Sequence, residues 1–197
     1  MARIPRIHIE GALYYITSRG DHNQNIFKDE QDYKYYLELL RKYKQQYGFK
    51  LFSFVLLPNH LHLLIELREG ITISEIMHDL NSSYIKYFNS RHKRRGHLLQ
   101  ERFKLILIEK QPYLLYITAY IHLNPRKLGL VSEVNDYPYS SYCYYLKTEK
   151  LKSIKTEELN LGEEIKEVLA YLTEHRERNN EQRTYEDFVK DLSLIHI

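Results

Sequence analysis

The chain has 197 residues, 43% of them apolar and 28% charged, and its 29 Lys+Arg against 26 Asp+Glu leave a formal charge of only +3. This balance excludes a disordered, collagen-like or disulfide-stapled polypeptide and suits one domain with an appendage. Uncharged runs stop at 15 residues, as in Gln111 to Pro125, short of the roughly 20 apolar residues of a membrane helix.

Arg3, Pro5, Arg6 and Glu10 break up the N-terminus, so no secretory signal is expected and the expected location is the cytoplasm. Gly11 to Arg19 alternates in the manner of a strand, and Gly20-Asp21 turns it. Asp29 to Tyr47 reads as a helix with Tyr36, Leu39, Leu40 and Tyr43 on one stripe, stopped by Gly48. Phe49 to Leu57 is a second strand; Pro58-Asn59 turns it into a third, His60 to Leu67. Thr72 or Ser74 caps a helix to about Ser90, with Ile73, Ile76, Met77, Leu80, Tyr84 and Tyr87 as its apolar face. Lys93 to Glu101 is a basic loop, Phe103 to Glu109 a fourth strand, and Gln111 to about Asn124 a helix that Pro125 is expected to stop. Asn135 to Ser141 is rich in turn residues, and the lone Cys143 can form neither an internal disulfide nor a cysteine-based zinc site, so it reads as packing. From Lys152, a helix with Ile165, Leu169 and Leu172 and many charge pairs is expected to lie exposed and separable from the core. The order of elements predicts an α+β fold, helices packed on an antiparallel sheet, plus a C-terminal helical extension.

The small net charge conceals an asymmetry. Residues 1–150 hold 22 Lys+Arg and 15 Asp+Glu, a net of +7, while residues 151–197 hold 7 against 11, a net of −4. Between Lys86 and Lys104, seven cations face Glu101 alone. Such a run is either solvated surface or a phosphate-binding patch, for which clustered Lys and Arg gain by counterion release. Tyr84, Tyr87 and Phe88 nearby are core residues or base-stacking platforms.

His60 and His62 stand two apart on a strand, so their imidazoles share one face while Leu61 and Leu63 enter the core on the other. Two convergent imidazoles are half a metal site, or two half-exposed strand histidines. Tyr120 and Asn124, four apart, share a helix face; the Asn124 amide oxygen is a candidate third ligand, and Tyr120 is otherwise one aromatic among 19 tyrosines. His122, turned roughly 200° from Tyr120, is assigned to packing.

Five blocks, GALYYITSRG (11–20), LPNHLHLL (57–64), GHLLQERFK (96–104), YIHLNPRK (120–127) and DYPYSS (136–141), resemble the single-tyrosine HUH transposases, most closely the REP-associated tyrosine transposase branch. The resemblance covers residues 1 to about 146. It implies a sheet with the His-hydrophobe-His strand central and the tyrosine helix packed across it. It implies further that His60, His62 and Asn124 hold Mg²⁺ or Mn²⁺, and that Tyr120 attacks single-stranded or hairpin DNA to leave a 5′-phosphotyrosine and a free 3′-hydroxyl. Arg19, Lys93, Arg94, Arg95, Arg102, Lys104, Arg126 and Lys127 are the expected phosphate contacts. Monomer and homodimer are both left open.

On this reading 1–150 is the transposase domain and 151–197 an acidic extension that is truncated, its last six residues (192–197, LSLIHI) matching translated library adapter. A hairpin-binding protein that does not cut, and a His-x-His metallohydrolase of another fold, are the competing functions. Binding alone does not need all of His60, His62, Tyr120 and Asn124, and the metallohydrolase lacks further acidic or histidine ligands.

Overall fold

The computed structural model describes residues 9, 11–100, 102–146, 159, 161–179 and 184–194. Four strands, β1 (Leu13–Arg19), β2 (Lys50–Leu57), β3 (His60–Glu66) and β4 (Lys104–Ile108), form one sheet in the order β2-β3-β1-β4, every neighbouring pair antiparallel. The fold is α+β, and β3 with its two histidines lies inside the sheet. Alternation sorts the strands into two apolar faces. Tyr14, Ile16, Leu61, Leu63 and Phe54 meet α1 (Glu30–Tyr47) and α2 (Ile73–Arg91); Leu13, Val55, Leu57 and Leu64 meet α3 (Lys110–Lys127), α5 (Gly162–Asn179) and α6 (Tyr185–Leu194). The short α4 (Tyr142–Tyr145) and the bridge between Val55 and Ser140 close the sheet on the β2 side.

The helix ends follow local chemistry. The Asp29 carboxylate accepts from the Gln31 and Asp32 backbone N–H groups at 3.0 and 3.3 Å, and Thr72, not Ser74, starts α2 through a reciprocal capping box with Glu75. Gly48 ends α1 at φ 65°, a left-handed conformation that costs a residue without Cβ nothing.

Two expectations fail. Helix α3 runs past Pro125 to Lys127, and Leu128 N–H still reaches Asn124 O at 3.0 Å. The Asn124 side-chain nitrogen donates to Ile121 O at 3.3 Å, supplying the bond that a proline at 125 cannot, so the helix continues. The C-terminal extension is not separable. Val168, Leu172, Tyr185, Phe188, Val189 and Leu192 are buried in the same core cluster as α3, and Glu164, 4% exposed, pairs with Lys44 and accepts from Leu51 N–H. An apolar stripe of three residues looks the same in sequence whether solvent or a neighbouring helix faces it. Residues 192–194 close α6, while 195–197, the rest of the adapter-like segment, lie outside the described residues, as does Glu101 of the basic loop. No helix among the described residues is long and apolar enough to cross a membrane.

Candidate active site

The histidines project from the α3 face of the sheet. Register places Thr17 opposite His62 and Arg19 opposite His60, so β1 and β3 jointly build the site. The imidazoles stand edge to face, their centroids 4.9 Å apart.

A chain of side chains sets the His60 tautomer. Arg19 donates twice to Asn23 Oδ1, at 3.1 and 2.7 Å, and Asn59 Nδ2 donates to the same oxygen at 2.6 Å. Asn59 Oδ1 therefore faces His60 Nδ1 at 2.6 Å, and that nitrogen must carry the proton, leaving the Nε2 lone pair free. At His62, Nδ1 meets the Tyr15 phenol at 2.6 Å with the two rings stacked 11° from parallel, while Nε2 is buried without a partner. Burial, and secondarily its neighbour Arg19, lowers the His60 pKa; burial, with His60 second, pushes His62 down to about 3. Both rings are neutral at pH 7, the form that ligates a metal.

Tyr120 joins this line through Tyr15: the two phenol rings meet edge to face at 6.3 Å. The Tyr15 pKa is raised, first by burial and then by the Tyr120 phenol beside it. Lys127, two helical turns beyond Tyr120, sets its ammonium 4.8 Å from the Tyr120 ring centroid. Asn124 lies one turn past Tyr120, and its Nδ2 donates to Tyr120 O at 2.8 Å as well as to Ile121 O. Two carbonyl acceptors fix which end of the amide is nitrogen, so Oδ1 is the end left for a ligand. Among the described residues no group of three or more His, Cys, Asp or Glu could hold a metal.

The transposase IS200-like family profile matches residues 10–124, more than half the chain. A REP-associated tyrosine transposase relative from Haemophilus influenzae is 31% identical over 163 residues, 76% of this chain and 90% of the relative. The chain belongs to the IS200-like transposase family, in its REP-associated tyrosine branch. The Escherichia coli REP-associated tyrosine transposase is 24% identical over 143 residues, 72% of this chain and 83% of the relative. A solved REP-associated tyrosine transposase bound to a REP hairpin superposes with a TM-score of 0.61 at 24% identity, over 73% of this chain and 84% of that one, which shows the shared fold.

Within this family member the phosphate-contact candidates fall into distinct settings. Arg19, Lys104 and Lys127 flank the histidines and the tyrosine: Lys104 and His62 both lie opposite Thr17 on one face of the sheet. Lys93 and Arg95 are exposed beyond α2. Arg94 is half-buried, bonded to Gln24 Oε1 at 2.7 Å and lying over the Phe88 ring, so it holds the basic loop together. Arg126 donates to Ser193 Oγ of α6 at 2.9 Å, and Arg102 lines a groove beside α2. Sequence reasoning missed Tyr15, Asn23 and Asn59. The alternation of β1 puts Tyr15 on the face of Arg19, but contact with His62 follows from strand register, which no local pattern states.

Proposed function

We propose that the chain cleaves and rejoins single-stranded DNA next to a hairpin, with Tyr120 as nucleophile. The observation that carries this reading is the line His60, His62, Tyr15, Tyr120, in which the two Nδ1 atoms each meet a partner and His62 Nε2 is left buried with none. That orphaned nitrogen, the His60 Nε2 lone pair and the Asn124 amide oxygen form a donor set suited to Mg²⁺ or Mn²⁺ with substrate oxygens in the remaining positions. Such an ion, when bound, withdraws charge from the scissile phosphate.

The chain's own residues do the rest. Tyr120 Oη attacks phosphorus, forming the tyrosyl P–O bond as the P–O3′ bond breaks. The tyrosine gives up its proton and the departing 3′-oxygen gains one. The 5′-phosphotyrosine keeps the energy of the broken bond, so attack by a second 3′-hydroxyl reverses the step and joins strands without ATP. Arg19, Lys104 and Lys127 supply positive charge around the reacting phosphate. The REP hairpin in the solved relative supports hairpin DNA as the substrate class here.

Incubating the protein with labelled hairpin-bearing single-stranded DNA and Mn²⁺ tests the reading on a denaturing gel. The intact chain is expected to form a covalent adduct and Tyr120→Phe to form none. An equal adduct with the variant would remove Tyr120 from its role, and no adduct with the intact chain would leave a hairpin-binding protein that does not cut.

A further inference from the structure

Helix α3 packs on β2 and β3, and towards β4 the same side of the sheet is left uncovered. Ile106 is 53% exposed there, Lys104 is exposed, and Tyr15 and Thr17 on β1 are half-buried. Cross-strand partners share a face, so Ile106 stands beside Tyr15 and Lys104 beside Thr17, on the side of His62. The other long side of this strip is α3, where Tyr113, Ile117, Tyr120 and Lys127 recur on one helix face. The Tyr120 ring meets the Tyr15 ring edge to face at 6.3 Å, so it is this face of the helix that looks across the strip. The result is a trough with Tyr15 in its floor, Ile106 on the strand wall and Tyr113 on the helix wall. Tyr113 is 51% exposed, and among the described residues its side chain has no ring contact or hydrogen bond.

The trough changes character along its length. At the end of the histidines stand Lys104 and Lys127, neither of which has an ion pair among the described residues. At the other end the exposed side chains are the large apolar ones, Ile106 and Tyr113. A nucleotide has the same polarity: lysines attract its phosphate, and an aromatic ring takes the face of its base. In-line attack decides which nucleotide of the scissile pair belongs here. Tyr120 Oη and the departing 3′-oxygen stand on opposite sides of phosphorus, so the leaving nucleoside points away from the tyrosine. The 5′-oxygen keeps its bond to phosphorus and lies to the side of the line of attack, so the nucleoside it carries can run along α3.

We propose that the trough between α3 and β4 holds the base of the nucleotide that stays attached to Tyr120, stacked on Tyr113 and covered by Ile106, with its phosphate at Lys104 and Lys127. The inference rests on the cleavage reading above and adds the contact by which the chain grips the strand it retains between cleavage and rejoining.

The test places 2-aminopurine at each unpaired position flanking the hairpin in turn and follows its fluorescence on binding to the full chain carrying Tyr120→Phe, so that no cleavage is needed. One position is expected to be quenched by stacking, with the quench lost in Tyr113→Ala and kept in Tyr113→Phe. An abasic site at that position should weaken binding about tenfold, Tyr113→Ala with Ile106→Ser should weaken binding of the unmodified strand by a similar factor, and the two changes together should cost no more than either. Both side chains are exposed, so these substitutions leave the core as it is. With Tyr120 restored, the nucleotide recovered on the covalent adduct should be the one at the quenched position. No Tyr113-dependent quench, losses that multiply, or a quenched base on the departing strand would overturn the trough assignment while an adduct leaves the cleavage reading standing. A Tyr113-dependent quench without an adduct from the intact chain would sink the cleavage reading alone, and no binding to any hairpin would overturn both.

Discussion

Asp32, between α1 and α2, and His62, on β3, are both buried ionisable side chains, yet the fold treats them in opposite ways. Asp32 is fully enclosed and satisfied: its carboxylate accepts from Lys28 N–H at 2.9 Å, from Arg91 at 2.7 Å and from His92 at 3.0 Å, and Arg91 reaches on to Asp29. His62 has one nitrogen on Tyr15 and the other on nothing. An unsatisfied buried polar atom costs about 1–3 kcal/mol, a cost that a ligand can offset. The closed cluster ties α1 to the end of α2 below the basic loop, and the open one is the group that the proposed chemistry uses.

Changing each cluster should therefore damage a different property. His62→Ala is expected to slow adduct formation by about 10³-fold and to lower the urea midpoint less than loss of Asp32 does, since only one of its ring nitrogens has a partner to lose. A large fall in stability would put His62 in the same class as Asp32. Asp32→Ala leaves a guanidinium and an imidazole without their partner and should cost about 3 kcal/mol in urea denaturation. A change under about 1 kcal/mol would mean that the closed cluster holds nothing together. Tyr15→Phe keeps the ring and deletes the hydroxyl that orients His62; Mn²⁺ affinity should drop about 10- to 100-fold by isothermal titration, with folding little altered.

His122 gives the comparison a third case. It is fully buried on α3, between the Tyr185 hydroxyl at 2.8 Å and Ser141 Oγ at 2.7 Å, and burial lowers its pKa to about 3. The unfolded chain takes up a proton at the ordinary value of 6.5 while the folded ring stays neutral down to about 3, so the folded state loses stability as pH falls through that window. The urea midpoint should decline from pH 6.5 downward, and less steeply in His122→Gln; equal slopes would contradict the assignment. The smallest effect concerns the basic loop. Lys93→Ala with Arg95→Ala should weaken hairpin binding across sequences and reduce the salt slope by about 2. Arg94, held by Gln24 and Phe88, is left out because its loss would disturb the loop itself.

These contrasts show what a linear reading can reach. The shared face of His60 and His62 was legible because a strand repeats every two residues, and the Tyr120–Asn124 face because a helix turn brings residues four apart together. The helices over Asp29 to Tyr47 and from Thr72 were legible because their caps are local. The passage of α3 through Pro125 was not, since it depends on the Asn124 side chain replacing a backbone donor. The docking of α5 and α6 depends on long-range burial, and Tyr15 on register between β1 and β3. The run of cations from Lys86 to Lys104 looked uniform in sequence, but it divides into exposed Lys93 and Arg95, a structural Arg94, and Arg102 at the mouth of a groove.

The central claim is that one phenol among 19 is the nucleophile. The most direct measurement is to trap the covalent adduct with hairpin DNA, digest it with nuclease and protease, and map the phosphonucleotide by mass spectrometry. The account predicts the mass increment on the peptide containing Tyr120, with fragment ions locating it at that residue. An increment on Tyr15, or on any other side chain, would contradict it.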